Sequence, residues 1–327
     1  MTITERPLGR SGLATTPLML GGNVFGWTAD RDASFAVLDA FLEGGGRLID
    51  TADMYSNWIP GLVGGESETM IGQWQASRRC RDRILIATKV GRGNGELAGL
   101  SRATIVKAVE ASLRRLRTDY IDLYFAHLDD AATPLDETLR AFGDLIAAGK
   151  VRALGASHYC AERLLQARAV SDTLGVARYE VLQPRYNLVS RATFEGPLQQ
   201  LCVERSIGVV PFYGLASGFL TGKYRSVRDL PERQRGAEVA KYLNAFGLGV
   251  LAALDTVALQ TGASVAQVAL AWIMAQPGIS APIASATSAA QMAELLGAMH
   301  LDLDAAQLAL LASASAAADI ISPQDTA

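Results

Sequence analysis

Residues 47–55 read Arg47-Leu48-Ile49-Asp50-Thr51-Ala52-Asp53-Met54-Tyr55, a short apolar run that breaks into acids, a hydroxyl and a phenol. An apolar run of this length, bounded by polar residues, is the pattern of a strand buried on both faces whose end opens toward solvent. The same pattern recurs along the chain. Runs rich in Ile, Val and Leu at 18–22, 47–50, 84–88, 121–127, 151–156, 180–183, 207–211 and 279–284 read as strands, eight in all. Longer segments of helical period separate them. Ile105, Val109, Leu113 and Leu116 recur at spacings of four and three, as do Leu135, Leu139, Phe142 and Leu145. Parallel strands joined by crossover helices follow, and eight such units in 327 residues predict an α/β fold, a closed (β/α)8 TIM barrel rather than an open sheet.

Two pieces stand outside the eight units. A short N-terminal β-hairpin with its turn at Arg10-Ser11-Gly12 precedes residue 18 and is placed to plug the barrel floor, and a long polar loop at 224–246 follows strand seven. Loops of that length are usually functional. No composition shift marks a domain boundary, so residues 1–327 are expected to form one domain.

Composition narrows the functional classes. With 50% hydrophobic and 19% charged residues the chain has material for a large core, and its net charge of −3 provides no basic field for nucleic acid or an anionic membrane. Cys80, Cys160 and Cys202 form no CxxC pair, which fits a reduced cytoplasm and suggests no thiolate metal site. The first residues lack the apolar core of a signal peptide, and no apolar run reaches about 20 residues, so a cytoplasmic protein is expected.

A barrel of this kind carries its active site at the carboxyl ends of the strands. Four reactive side chains are expected there: Asp50 and Tyr55 after the second strand, Lys89 ending the third, and His127 ending the fourth. They suit carbonyl reduction. Hydride arriving at a carbonyl carbon leaves charge on oxygen, which an acid must quench. A phenol, with a pKa of about 10, is a weak acid unless a cation such as Lys89 favours its anion; Asp50 would keep Lys89 charged, and His127 would hold the carbonyl oxygen. Singly, each has a structural reading: a turn cap for Asp50, a surface charge for Lys89, packing for Tyr55, a core imidazole for His127. A lysine-using aldolase would also want a strand-end lysine. A metal-dependent hydrolase is disfavoured, since His127, His158 and His300 form no HxH pair.

These residues sit in motifs that resemble the aldo-keto reductase family over nearly the whole chain. The matching stretches are Leu8-Gly9-Arg10-Ser11-Gly12-Leu13, Leu20-Gly21-Gly22, the 49–55 segment with Gly65-Glu66-Ser67-Glu68, Ala87-Thr88-Lys89-Val90, residues 113–124, His127 with Asp130, Pro134, Glu137 and Thr138, and Gly149-Lys150-Val151-Arg152. The resemblance implies Asp50, Tyr55, Lys89 and His127 as catalytic residues and NADP as cofactor, with NAD possible as a second. It implies cofactor contacts from Gly22, Asn23, Asp50, Ser157 and Gln183, the last two toward the nicotinamide carboxamide. His158 stands where the family has Asn. Phe212 takes the place of the stacking aromatic, and Tyr213 and Gly214 replace the customary Ser and Pro. Backbone amides from Leu215 to Ser217 and Gly218, with Lys223, would meet the pyrophosphate. Ser285, Thr287, Gln291 and Glu294 open the last helix, where the family holds the adenosine 2′-phosphate.

The segment 285–295 contains no Arg or Lys, so a basic residue of the long loop, Arg225, Arg228, Arg233 or Arg235, would have to supply a cation. Gly91-Arg92-Gly93-Asn94-Gly95 lacks the spacing of a dinucleotide fingerprint and reads as a loop. Trp27, Met54, Trp58 and the segment near Tyr242 are expected to wall a mostly apolar pocket. The partner is then a small-molecule carbonyl compound. Some family members, such as potassium-channel β subunits, instead bind cofactor and regulate a partner, which leaves a redox-sensing regulator as the alternative.

Overall fold

The computed structural model describes residues 3–93, 95, 98–230 and 235–316. The hairpin strands β1 (Arg6–Pro7) and β2 (Ala14–Thr15) pair antiparallel. Eight strands then form one parallel sheet: β3 (Met19–Gly21), β4 (Leu48–Asp50), β5 (Leu85–Val90), β6 (Ile121–Ala126), β7 (Val151–Ser157), β8 (Tyr179–Gln183), β9 (Gly208–Val209) and β10 (Ile283–Ala284). Each pairs with its sequence neighbour, and β10 returns to pair with β3. The last seam closes through Val209, whose carbonyl accepts from the Ser280 amide at 2.8 Å, and through Pro211, whose carbonyl accepts from Ile283 at 2.8 Å. The sheet is therefore a barrel, as the eight-unit pattern requires. The seam strands are shorter than the runs at 207–211 and 279–284, because Pro211 and Pro282 have no N–H to give to a ladder.

Helices α1 (Arg31–Glu43), α2 (Glu66–Arg78), α3 (Arg102–Leu116), α4 (Leu135–Ala147), α5 (Ala161–Leu174) and α6 (Pro197–Arg205) cross between successive strands. After β9 come α7 (Gly236–Val239), α8 (Ala245–Thr261) and α9 (Val265–Met274), and α10 (Ala289–Leu296) and α11 (Ala305–Ala314) complete the shell. The expected loop at 224–246 holds short helical turns at Val227–Asp229, at α7 and at Ala240–Tyr242, and Arg233 lies outside the described residues. Among the described residues no single helix is long and apolar enough to cross a membrane.

Strand parity determines which side chains face inward. Leu48, Leu85, Ala87, Leu123, Phe125, Ala153 and Val181 belong to the cluster inside the barrel, whereas Ile49, Ile86, Val90, Tyr124, Ala126, Leu154 and Leu182 pack outward beneath the helices. Leu8 and Leu13 of the hairpin join the inner cluster, so the hairpin does close the floor. Gly9 fits there because a Cβ would lie 2.2 Å from the Glu180 carbonyl oxygen. Continuing the inward series by two residues gives Asp50, Lys89, His127 and Gln183 at the upper rim, and on β7 the series runs from Ala153 through Gly155 to Ser157. Periodicity thus aims five polar side chains at one space.

The wall behind that rim depends on close packing of α2 on α3. A Cβ at Gly72 would lie 2.0 Å from the Arg115 carbonyl oxygen and 2.7 Å from the Leu116 carbonyl carbon, so only glycine allows the helices to approach this closely. Gly72→Ala should therefore destabilise the protein by about 1–3 kcal/mol, the usual cost of overpacking. Urea unfolding should show a lower midpoint at unchanged slope; an unaltered midpoint would mean the helices separate without cost.

Candidate active site

Lys89, fully buried at the end of β5, organises the rim. Its ammonium has three N–H bonds, and three acceptors surround it: the Asp50 carboxylate at 2.6 Å, the Thr51 carbonyl at 2.8 Å and the Tyr55 hydroxyl at 2.8 Å. Tyr55 in turn donates its O–H to Asp50 Oδ2 at 2.9 Å, and Gln183 donates to Asp50 Oδ1 at 2.9 Å. Asp50 is thereby held from three sides. The His127 imidazole stands with its ring centre 6.2 Å from that of Tyr55, inclined at 74°. All four side chains expected to converge do so.

Electrostatics depart from the expectation in one respect. Burial, and next the Asp50 carboxylate, hold the Tyr55 phenol well above its ordinary pKa rather than below it. A phenol that donates to a carboxylate is favoured in its neutral form. Burial also draws the Lys89 pKa down, against the pull of Asp50 in the other direction. The Lys89 cation therefore lies in place to receive a phenolate without making one in advance. Burial first, then Lys89, Arg92 and His158, hold His127 well below the ordinary histidine value, so it is a neutral imidazole at physiological pH.

The expected cofactor contacts fall into two groups. Several lie together at the strand ends. The Ser157 hydroxyl donates to the Gln183 carbonyl at 2.9 Å, and the Ser285 hydroxyl donates to Asn23 Oδ1 at 2.7 Å. Gly22 packs so closely that a Cβ would lie 2.8 Å from the Asp50 carbonyl oxygen. The His158 ring lies 5.1 Å from Phe212, and the His158 backbone is left-handed at φ 60°, a conformation that Asn favours and that His tolerates better than most residues. Phe212 is half-buried, and Tyr213 is exposed beneath the Arg185 guanidinium at 4.8 Å. Gly214 is buried, where a Cβ would press on the Ile283 carbonyl oxygen at 3.2 Å.

The second group differs from expectation. Amides of Ala216 and Gly218 close turns onto the Tyr213 and Leu215 carbonyls, both at 2.8 Å, so among the described residues those of Leu215 and Ser217 remain for an anion. The Ser217 hydroxyl is committed to Glu238 at 2.7 Å. Lys223 lies close to this loop: a Cβ on Gly218 would lie 3.1 Å from its Nζ, so the glycine leaves room for the ammonium. Thr287 and Gln291 bond each other, through the Thr287 amide at 2.9 Å and its hydroxyl at 3.1 Å, and Glu294 is exposed. Of the candidate cations, Arg225 is tied to Asp255 by two bonds of 2.7 Å and Arg228 is exposed.

The walls are partly as expected. Trp27 and Trp58 meet edge to face at 6.0 Å, and Trp58 meets Tyr55 at 6.0 Å. Tyr242 is not a wall; it is buried, stacked on Phe219 at 5.3 Å, because the polar loop folds back on the shell at that point.

Sequence reasoning gave no role to a buried polar cluster behind β5. Glu68 accepts from Thr88 at 2.6 Å and from Arg115 at 2.6 and 2.7 Å, with Asp53 and the Tyr124 hydroxyl buried nearby. The outward parity of Thr88 and Tyr124, opposite to that of Lys89, was the available signal.

Comparison with known proteins agrees with this geometry. The model for the aldo/keto reductase family matches residues 17–316. The chain belongs to that family. It is 33% identical over 314 residues to the uncharacterized oxidoreductase YrpG of Bacillus subtilis, covering 93% of each chain. It is 33% identical to a probable voltage-gated potassium channel subunit beta of Oryza sativa, covering 90% of each, and 30% identical to norsolorinic acid reductase B of Aspergillus parasiticus, covering 90% of this chain and 79% of the other. As an aldo/keto reductase the chain is an oxidoreductase acting on small-molecule carbonyl compounds.

The neutrality of His127 is open to direct measurement. Nitrogen chemical shifts of its ring should stay those of neutral imidazole as pH falls through about 6.5, the ordinary value. A protonation midpoint at or above that value would show that burial does not govern this site.

Proposed function

We propose that the protein reduces aldehydes or ketones to alcohols with hydride from NADPH, and that Tyr55 is the proton donor. The observation that carries this reading is the Tyr55 hydroxyl held between a cation and a carboxylate, Lys89 at 2.8 Å and Asp50 at 2.9 Å. In that position the phenol oxygen keeps its hydrogen bond from Lys89 whichever way its own O–H points. Rotating the O–H from Asp50 to a carbonyl oxygen lets it follow the developing charge, and the phenolate left behind already has an N–H aimed at it. His127, neutral, donates a ring N–H to the same oxygen without competing to deliver a full proton.

The cofactor supplies the hydride. Phe212 offers a ring face for the nicotinamide, Gln183 and Ser157 lie at the strand ends to orient its carboxamide, and the Leu215 and Ser217 amides with Lys223 suit its pyrophosphate. The left-handed backbone at Ala216, Ser217 and Gly218, φ 48°, 56° and 92°, supports the fit. The aromatic edges of Trp27 and Trp58 favour an apolar carbonyl compound. A place beside a partner protein, as the name of the channel-subunit relative states for that protein, is the second reading, and the assembled proton-donor geometry favours turnover over it.

Tyr55→Phe should lower turnover about a hundredfold to ten-thousandfold, the usual cost of losing a general acid, while NADPH affinity stays nearly unchanged. Wild-type reduction by that variant would remove Tyr55 from the role. At the adenosine end, neutral donors from Thr287, Gln291 and the helix amides replace an arginine grip, and such bonds are roughly half as strong. NADPH should therefore be preferred to NADH by less than about a thousandfold in kcat/KM, or roughly 4 kcal/mol. A larger preference would require a cation, with Arg235 or Arg228 the first to substitute.

A further inference from the structure

Three residues beyond Asp50 the chain buries a second carboxyl that the proton-donor geometry does not use. Asp53 is 3% exposed, and neither of its carboxyl oxygens has a hydrogen-bond partner among the described residues. Its backbone N–H donates to the carbonyl of Lys89 at 3.2 Å, which fixes it against β5.

The charged neighbours do not neutralise it by contact. All three N–H bonds of Lys89 are committed to Asp50, Thr51 and Tyr55. Arg115, reaching in from α3, is committed to Glu68 through Nε and Nη2. Glu68, on α2, is itself an acid and opposes a second negative charge. On β6 the Tyr124 hydroxyl is buried and coupled to Asp53 without bonding it, and the Met54 amide offers partial relief short of hydrogen-bond geometry. A carboxylate without donors in a buried wall is strongly disfavoured, and a neutral carboxylic acid is the form such a place accepts.

We propose that Asp53 is a positioning residue for the reduction: neutral, it leaves the full charge of Lys89 to Tyr55, and ionised, it withdraws part of that charge and weakens the phenol as an acid. This rests on Tyr55 being the proton donor. Burial first, then Glu68, push the Asp53 carboxyl up to about 8, with Arg115, the Met54 amide and Lys89 pulling the other way. The coupling to Lys89 runs in both directions, since Asp53 is among the acids that raise the Lys89 pKa. Below about pH 8 the neutral acid leaves the Lys89 field undiminished. Above it the carboxylate stabilises the ammonium and disfavours phenolate, so reduction steps down to a lower plateau rather than to zero.

Asp53→Asn is close to isosteric and permanently neutral. The first measurement needs no turnover. The folded protein keeps the Asp53 proton up to about pH 8, whereas the unfolded chain releases it near 3.9, so the folded state binds more protons across that window. Stability of the wild type relative to Asp53→Asn should then fall as pH rises from about 4 to about 8 and level off above, read as a growing gap in urea midpoint. A gap independent of pH would overturn the buried neutral acid. Should the variant not fold, wild-type protein with 13C-labelled aspartate gives the same answer: a protonated-carboxyl infrared band should vanish through about pH 8, and its absence at pH 7 would overturn the proposal.

The second measurement is the single-turnover reduction rate from pH 6 to 10. The wild type should show a step down of at most roughly tenfold, what a one-unit change in the acidity of the phenol amounts to, centred near 8, Asp53→Asn should lack it, and Asp53→Glu should restore a step. Parallel profiles for wild type and Asp53→Asn, beside the expected stability window, would overturn the positioning role while leaving Tyr55 as donor. Absence of carbonyl reduction by the wild type would overturn the function itself, and the stability window would still report on the Asp53 proton.

Discussion

One buried ammonium governs this structure. Lys89 enters the barrel rim fully desolvated, and a cation there is tolerable only when each of its N–H bonds meets an acceptor. The acceptors come from the end of β4 and the segment after it, where Asp50, the Thr51 carbonyl and Tyr55 fall within five residues of each other and curl around one point. The order of constraint therefore runs from barrel to chemistry. Pairing of Asp50 with Ala87 sets the level of β4 against β5, strand parity turns Lys89 inward, and the phenol is left with one donor and one acceptor in fixed places. Removing the ammonium alone would leave Asp50 buried and short of a partner, so the group works as a unit or not at all.

The same site has an inner and an outer half. Inside the barrel lie Asp50, Lys89 and Gln183, linked through the Asp50 carboxylate; outside, behind β5, lie Glu68, Arg115, Thr88 and Asp53. Thr88 and Lys89 are adjacent in sequence and point to opposite faces, so one strand carries both halves. This arrangement gives a physical route by which a residue that touches no substrate bears on the charge at Tyr55. It also explains why the helix contact at Gly72 matters to the site, since that contact places Arg115 against Glu68.

Much of this was legible in the sequence. The barrel followed from eight apolar runs, and the rim residues followed because a polar residue two places beyond an inward apolar one must face the same space. Family resemblance supplied roles that spacing alone left open. What escaped the sequence was commitment between distant residues. Ser217 has the composition of an anion-binding loop, yet Glu238, 21 positions on, takes its hydroxyl. Arg225 reads as a free cation until Asp255 is placed against it. Tyr242 reads as a pocket wall until its stacking on Phe219 is seen. The direction of the Tyr55 pKa was likewise hidden, because burial is a property of the assembled rim and not of any motif.

The central claim, that Lys89 acts through Tyr55, is tested most directly by a double-mutant cycle on the hydride-transfer rate with Tyr55→Phe and Lys89→Met. Residues that act as one unit give losses that do not multiply. The double variant should be about as slow as the slower single variant, within roughly threefold. Losses that multiply would contradict the account, because they would mean that Lys89 contributes to reduction by a route that does not pass through the phenol.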